Sequence, residues 1–405
     1  MRDSRLGWRR LKILLPVLLV LVVAAGVGQY LRPLPSVQLE SDVSSRIQLP
    51  GAAPSLPWPS GGEAAVAVDG VGIIGSHGGN QAEPIGSLAK VMTAVLVLKA
   101  HPLTSGETGP LVTVTAPDVA IYQQDLVTGQ SVVQVAVGEQ LSELQLLEAM
   151  LIPSGNNIAT LLATWDAGSE SAFVTQMNQE ASQLGLRATR YADSSGLSAA
   201  TVSDALDETR LAQVAMANPV FAQIVAMPQV TLPVAGVAYN VNADVTHGGM
   251  VGVKTGSTPQ AGGCFIFAER ATVAGHSVLV LGAVLGQGGT SIIDAALSAG
   301  ATLANSAVAH LGAYTVVARS AVVAKLSPAW EGSIPIGSPR AVSLVGWPGL
   351  TLTLKVVAAR LGSSVRKGQP VGSLQVSTPD SQVSLPLVAP TRISPPSVRW
   401  RLTRL

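Results

Sequence analysis

The apolar positions of this chain follow several distinct rhythms, and each predicts a different kind of element. From Ile13 to Gly28 they are continuous, behind a flank holding Arg2, Arg5, Arg9, Arg10 and Lys12. A positive flank stays on the cytoplasmic side of a membrane, so residues 1–12 read as a cytoplasmic basic segment. The apolar run is short for a spanning helix, which needs roughly 17 to 25 residues. Gln29, Tyr30 and Leu31 extend it, and residues 13–31 are expected to be an uncleaved anchor. Cleavage as a signal segment near Val23-Ala24-Ala25 is the alternative. Both place the body of the chain outside the cytoplasm.

Residues 32–62 are rich in Pro, Ser and Gly, which predicts an extended tether. Two short apolar runs, 64–68 and 71–74, then flank Asp69-Gly70 and predict a hairpin with a two-residue turn. From Ser87 to Ala100 the pattern is apolar around most of a helical circumference, so a helix is expected to run through the interior. A second helix is expected to start at Ser142, where Gln145 completes a capping box, and to stop at Pro153. Helical spacing recurs at 158–165, 171–184, 204–217 and 291–310, and strand character at 250–253, 264–268 and 277–285.

An early hairpin, a helical middle and late strands predict one sheet closed from both chain ends, over residues 63–311. Beyond Gly312 the period shortens to two, with Leu352, Leu354 and Val356 on one face, predicting a separate small β-domain over 312–405. The last six residues are too few for a membrane-surface helix.

Composition narrows the function. Only 12% of residues are charged and the formal net charge is +1, which gives no global field to hold a polyanion, so nucleic-acid binding is not expected. The single cysteine, Cys264, lies in the apolar run 264–267 and reads as a core thiol. The five histidines show no ligand spacing. Neither a metal nor an organic cofactor is expected.

Three short motifs carry the candidate chemistry, in the order Ser87-Leu88-Ala89-Lys90, Ser154-Gly155-Asn156, Lys254-Thr255-Gly256. Each alone is weak: Ser364-Val365-Arg366-Lys367 also fits the first pattern, in a charged turn with no helix behind it. Ser87 differs because it opens a buried helix, where Lys90 returns to the same face. A serine hydroxyl needs a base within hydrogen-bond reach, and a lysine is a base only when neutral. Burial and a second lysine, Lys254, would both depress the pKa of Lys90. Pro153 should close its helix so that Ser154-Gly155-Asn156 forms a tight loop offering a hydroxyl and an amide. Gly256 lets an extended ligand lie beside its strand.

These motifs, with Ile85 to Ala94, Pro153 to Asn157, Asp193-Ser194-Ser195-Gly196-Leu197 and Gly252 to Thr258 around them, resemble those of the serine penicillin-binding proteins and β-lactamases. Within that superfamily they are most similar to the low-molecular-weight D-alanyl-D-alanine carboxypeptidases. The resemblance implies an α+β fold, an antiparallel sheet flanked by helices, with a small C-terminal all-β domain. It implies that Ser87 attacks the carbonyl of a peptidoglycan stem peptide ending in D-Ala-D-Ala, and that Lys90 takes the serine proton. Ser154 and Lys254 would relay that proton to the leaving amine, Asn156 would hold the substrate amide, and Thr255 would bind the terminal carboxylate. The backbone N–H groups of Ser87 and Ser257 would form the oxyanion hole. β-Lactams would acylate the same serine.

One departure bears on the bond cut. Some members of the family grip the carboxylate with an arginine after the third late strand, and Gly286 to Ser291 contains none. D,D-endopeptidase activity is therefore a live alternative. A β-lactamase-like hydrolase is another, although no Glu-x-x-Leu-Asn occurs between Asn156 and Lys254 to activate a deacylating water. An inactive cell-wall-binding protein is the alternative of a different class, and intact Ser87, Lys90 and Lys254 speak against it.

Overall fold

The computed structural model describes residues 4–79, 81–245 and 247–404; Arg2 of the basic flank lies outside them. The described chain divides into two units. One comprises 48–314 with 345–350, the other the residues up to Ile47 together with 315–344 and those from Thr351 onward.

Helix α1 (Ser4–Leu31) opens the chain. Its apolar portion, Lys12–Leu31, is 20 residues long and wholly unburied. At 1.5 Å per residue it spans about 30 Å, the thickness of a bilayer's hydrocarbon core. Residues 32–62 are not the plain tether that their composition predicts. Strand β1 (Gln38–Ser41) and strand β2 (Arg46–Gln48) lie within them. Buried Val37 and Leu49 flank these strands, and a few apolar residues among prolines are enough to add short edge strands to an existing sheet.

The larger unit is built on a five-stranded antiparallel sheet. Its strands are β3 (Glu63–Val68), β4 (Gly72–His77), β5 (Met250–Thr258), β6 (Gly262–Val273) and β7 (His276–Gln287), in the order β5-β6-β7-β3-β4. The first and last thirds of the unit thus meet, through pairs such as Val280↔Val68 and Leu285↔Glu63. The hairpin loop is one residue longer than expected: Val68 pairs with Gly72, leaving Asp69, Gly70 (φ +68°) and Val71 between them.

Both faces of the sheet are covered, which is why β6 reads as a continuous apolar run. Phe265 and Phe267 face α9 (Ile292–Ala309), where a Cβ on Gly300 would stand 2.6 Å from the Phe265 ring. Cys264, Ile266 and Ala268 face the helical body and join its core. Burial pushes the Cys264 thiol up to about 12, as fits an inert core residue.

That body contains α2 (Lys90–Ala100), α3 (Ala116–Val127), α4 (Glu143–Leu151), α5 (Asn156–Ala167), α6 (Glu170–Gln183), α7 (Ala205–Met216) and α8 (Pro219–Val225). Helix α2 runs through its middle with eight of eleven residues buried. The capping box at Ser142 and Gln145 is formed as expected. Helices α3 and α8 escaped the sequence pattern: α3 buries no residue fully and touches the core only through partly buried side chains such as Val119 and Tyr122, and α8 is only two turns long.

The smaller unit is mostly strand: β8 (Val322–Ser327), β9 (Ile334–Gly337), β10 (Thr351–Ala358), β11 (Pro370–Ser377) and β12 (Gln382–Val388), then a short helix α10 (Val398–Thr403). Strand β1 pairs with β8 and β2 with β10, so the segment that follows α1 is part of this sheet structure.

Candidate active site

Ser87 lies in a 3-10 turn, Gly86–Ala89, that leads directly into α2. The regular helix therefore begins at Lys90, three residues later than the apolar pattern suggests. The difference matters, because at three residues per turn positions i and i+3 eclipse one another. Lys90 Nζ accordingly lies 2.8 Å from Ser87 Oγ. The same nitrogen is 2.6 Å from Asn156 Oδ1 and 3.1 Å from the Ser195 carbonyl oxygen. Ser87 itself is only partly buried, so the hydroxyl is reachable while the amine beneath it is sealed.

The tripeptide of the second motif sits where α4 ends and α5 begins. Ser154 has φ +66°, a left-handed conformation that costs a non-glycine residue about 1–2 kcal/mol. Asn156 is buried, and both ends of its amide are engaged: Oδ1 with Lys90, and Nδ2 donating to Gln130 Oε1 at 2.8 Å. The Ser131 carbonyl also accepts the Asn156 backbone N–H. Ser154 is buried beside them and is hydrogen-bonded to neither lysine.

Lys254, Thr255, Gly256 and Ser257 lie on β5, at an edge of the sheet, which leaves one side of their backbone without a strand neighbour. This edge abuts the turn that carries Ser87. A methyl on Gly256 would stand 2.9 Å from Ser87 N and 2.7 Å from Ile85 O, and one on Gly86 3.0 Å from Ser257 N. Glycine is needed at 256 by that close approach within the protein, besides whatever an extended ligand requires. Lys254 is 2% exposed, and its Nζ donates to the Thr255 carbonyl.

The electrostatics follow from burial. Burial, then the neighbouring Lys254, hold Lys90 well below the ordinary lysine value, against the opposing pull of Asp193 and Asp125. Burial lowers Lys254 to about 7. Two lysines so placed resist carrying two protons together.

Sequence reasoning assigned no site role to Gln130, Asp193, Ser195 or Glu170. The loop 193–197 is tied by its own side chains: Asp193 Oδ2 accepts from Ser195 Oγ and Leu197 N, and Oδ1 accepts from Thr201 Oγ1. Glu170 Oε1 accepts from Ser194 N and Oγ, and Thr93 Oγ1 donates to the Ser194 carbonyl. These bonds aim the Ser195 carbonyl at Lys90. An Asp four residues before a backbone donor is a legible turn signal; that the turn's carbonyl meets Lys90 is not.

Chemically, the arrangement offers a partly exposed hydroxyl, a buried amine poised to be neutral, a second amine near its midpoint at neutral pH, and an open strand edge. A family model described as D-alanyl-D-alanine carboxypeptidase matches residues 61–286. The D-alanyl-D-alanine endopeptidase of Pseudomonas aeruginosa is 31% identical over 207 residues, 49% of this chain and 64% of that protein. The D-alanyl-D-alanine carboxypeptidase DacB2 of Mycobacterium tuberculosis is 32% identical over 260 residues, 62% of this chain and 84% of that protein. The crystal structure of the Streptomyces K15 DD-transpeptidase superposes with a TM-score of 0.54 at 25% identity, covering 65% of this chain and all of the other. The chain thus spans somewhat under two thirds of the Pseudomonas relative and more of the other two.

Proposed function

The chain belongs to the D-alanyl-D-alanine carboxypeptidase family, and from that premise we propose that it removes the terminal D-alanine of peptidoglycan stem peptides through an acyl-enzyme on Ser87. One observation carries the assignment: a buried Lys90 amine 2.8 Å from the Ser87 oxygen. A neutral amine has two N–H bonds and one lone pair. Asn156 Oδ1 and the Ser195 carbonyl can only accept, so they take the two N–H groups. The lone pair is left for the hydroxyl proton of Ser87, the geometry a general base needs.

As the hydroxyl oxygen attacks the D-Ala-D-Ala carbonyl, its proton passes to Lys90, and the N–H groups of Ser87 and Ser257 stabilise the oxyanion. Ser154 and Lys254 relay a proton to the leaving D-alanine amine, and Thr255 binds the terminal carboxylate with Lys254 as its counter-charge. Asn156 orients Lys90 and holds the substrate amide. Water then releases the shortened peptide. β-Lactams acylate the same oxygen. Helix α1 acts as an uncleaved anchor, holding the catalytic unit at the extracytoplasmic face of the cell membrane.

Intact-protein mass after exposure to benzylpenicillin is the direct check. One adduct on the wild type and none on Ser87→Ala is the expected outcome; equal labelling of both, or none on either, sinks the assignment. Acylation should also depend on pH in two opposed ways. It rises with pH as Lys90 loses its proton, on a limb lying well below the ordinary lysine value. For a carboxylate-bearing substrate it falls again as Lys254 discharges above about 7. Because the lysines interact, the limbs belong to the pair. A rate that climbs unchanged to pH 10 would remove Lys254 from the scheme.

A second reading is favoured by one specific feature. Gly286 to Ser291 holds no arginine, and Gln287 spends its amide on the Gly61 and Leu285 carbonyls. Without that arginine the terminal carboxylate has a weaker grip, peptides whose D-alanine is amide-linked to a second stem lose less, and endopeptidase activity gains. Comparing D-alanine release from a pentapeptide with cleavage of a cross-linked dimer ranks the two.

A further inference from the structure

The formal charge of +1 conceals a separation along the chain. Residues 63–311 carry seven Lys and Arg against nineteen Asp and Glu, a formal −12; residues 312–405 carry eleven against only Glu331 and Asp380, a formal +9. The cations outside the N-terminal flank are concentrated in the smaller unit.

Within that unit they gather at one place. Val365 and Ile393 form an isolated antiparallel bridge, closed by N–H···O bonds of 3.0 and 2.9 Å. Antiparallel register sets Arg366 opposite Arg392, with Lys367 next in line. The Gly362 carbonyl accepts the N–H of Val37, six residues beyond the end of α1. Ser394, just after the bridge, accepts from Trp330 Nε1 at 2.9 Å, and the Trp330 ring meets Trp400 of α10 edge-on at 5.9 Å. Helix α10 in turn closes on the end of α1. Arg401 lies 5.0 Å over the Tyr30 ring, and Arg404 donates to the Pro33 carbonyl at 3.0 Å and the Arg32 carbonyl at 2.6 Å. Arg360, Arg366, Lys367, Arg392 and Arg399 are exposed around this junction. Glu331 is the single carboxylate in the segments that form it.

A membrane helix that ends beside exposed arginines and half-buried indoles meets the chemistry of the headgroup layer. Tryptophan and tyrosine favour the interface, their ring bodies apolar and their N–H or O–H wet. Guanidinium groups pair with phosphate in two-point geometry. A six-residue α10 could not hold a bilayer by itself, as the sequence suggested, but fastened to α1 it needs no independent affinity. We propose that this end of the smaller unit is a binding surface for anionic phospholipid headgroups of the membrane that α1 crosses. The proposal rests on α1 being an uncleaved anchor. Lipid is favoured over a soluble polyanion because the surface is tied to the helix at the level where headgroups lie, and because its aromatic rings suit an interface rather than water.

The full chain in nanodiscs of phosphatidylcholine, with or without phosphatidylglycerol, tests this by hydrogen exchange. The backbone amides of 360–368 and 391–404 are expected to exchange at least roughly tenfold more slowly when phosphatidylglycerol is present. The protection should vanish in high salt and in the Arg366→Glu, Lys367→Glu, Arg392→Glu triple variant. Benzylpenicillin labelling of Ser87 reports that the variant is folded, and the wild-type comparison decides even without it. Equal exchange in both lipids overturns the proposal. So does protection by soluble poly(glycerol phosphate) on phosphatidylcholine discs that phosphatidylglycerol fails to give. A membrane-extracted protein whose mass lacks the first two dozen or so residues would instead fault the anchor, a separate failure.

Discussion

Lys90→Met is expected to slow acylation of Ser87 by roughly 10²- to 10⁴-fold, the range a positioned general base contributes, while the protein stays folded. The reasoning starts from the site's inventory. Within hydrogen-bond reach of Ser87 Oγ the side-chain base is Lys90, and Lys254 instead donates to its own neighbour's carbonyl. Removing the amine leaves Asn156 Oδ1 and the Ser195 carbonyl without that donor, a cost of about 1–3 kcal/mol for each buried acceptor. Against that, a lysine held well below its ordinary value is itself expensive to bury, and methionine fills nearly the same channel without that penalty. Stability should therefore move far less than rate. Lys90→Arg should be as slow as Lys90→Met, since a guanidinium stays charged and cannot accept a proton. Stopped-flow acylation by a chromogenic β-lactam, with thermal melting alongside, separates the effects. If Lys254→Met proves the slower of the two while Lys90→Met keeps most of the rate, Lys254 is the base and the roles must be exchanged.

How much of this was legible beforehand differs from residue to residue. The sheet that joins both ends of the larger unit follows from where strand-forming runs occur, because each run has one rhythm and one length. Ser87, Lys90 and Lys254 stand out as candidates in the sequence because their motifs carry spacing and context together. The groups that hydrogen-bond Lys90 do not. Gln130 is one polar residue in a polar loop, and Ser195 acts through a carbonyl, which every residue possesses. The first strands after α1 were hidden for a related reason: Pro and Gly suppress strand propensity locally, and only partners near residues 325 and 355 make Gln38–Ser41 and Arg46–Gln48 strands. Net charge misled because it sums over units that carry opposite signs.

The loop 193–197 yields the other large effect, through a position with no functional group at all. Gly196 has φ +83°, and a Cβ there would stand 1.7 Å from the Gly86 carbonyl oxygen and 2.4 Å from its carbon. Both are backbone atoms, so no side chain can swing aside. Gly86, also left-handed at φ +54°, is the residue before Ser87, and on its far side Ser257 N lies 3.0 Å from where its own Cβ would be. The turn carrying Ser87 is therefore held between the 193–197 loop and β5. Gly196→Ala must move one or the other, and both hold parts of the site: the Ser195 carbonyl accepts from Lys90 Nζ, and β5 carries Lys254. A displacement near 1 Å costs about 10²-fold in rate, so acylation should fall by at least roughly that factor, with a loss of stability of about 3 kcal/mol or more. Gly168→Ala supplies the control. Gly168 ends α5 at φ +76° with nothing within 4 Å of its would-be Cβ, so alanine there incurs only the conformational penalty, about 1 kcal/mol. Melting temperature and acylation rate for the two variants, measured side by side, isolate the steric part. Should Gly196→Ala melt and acylate like Gly168→Ala, the loop is compliant, and the Ser195 carbonyl cannot be what holds Lys90 in place.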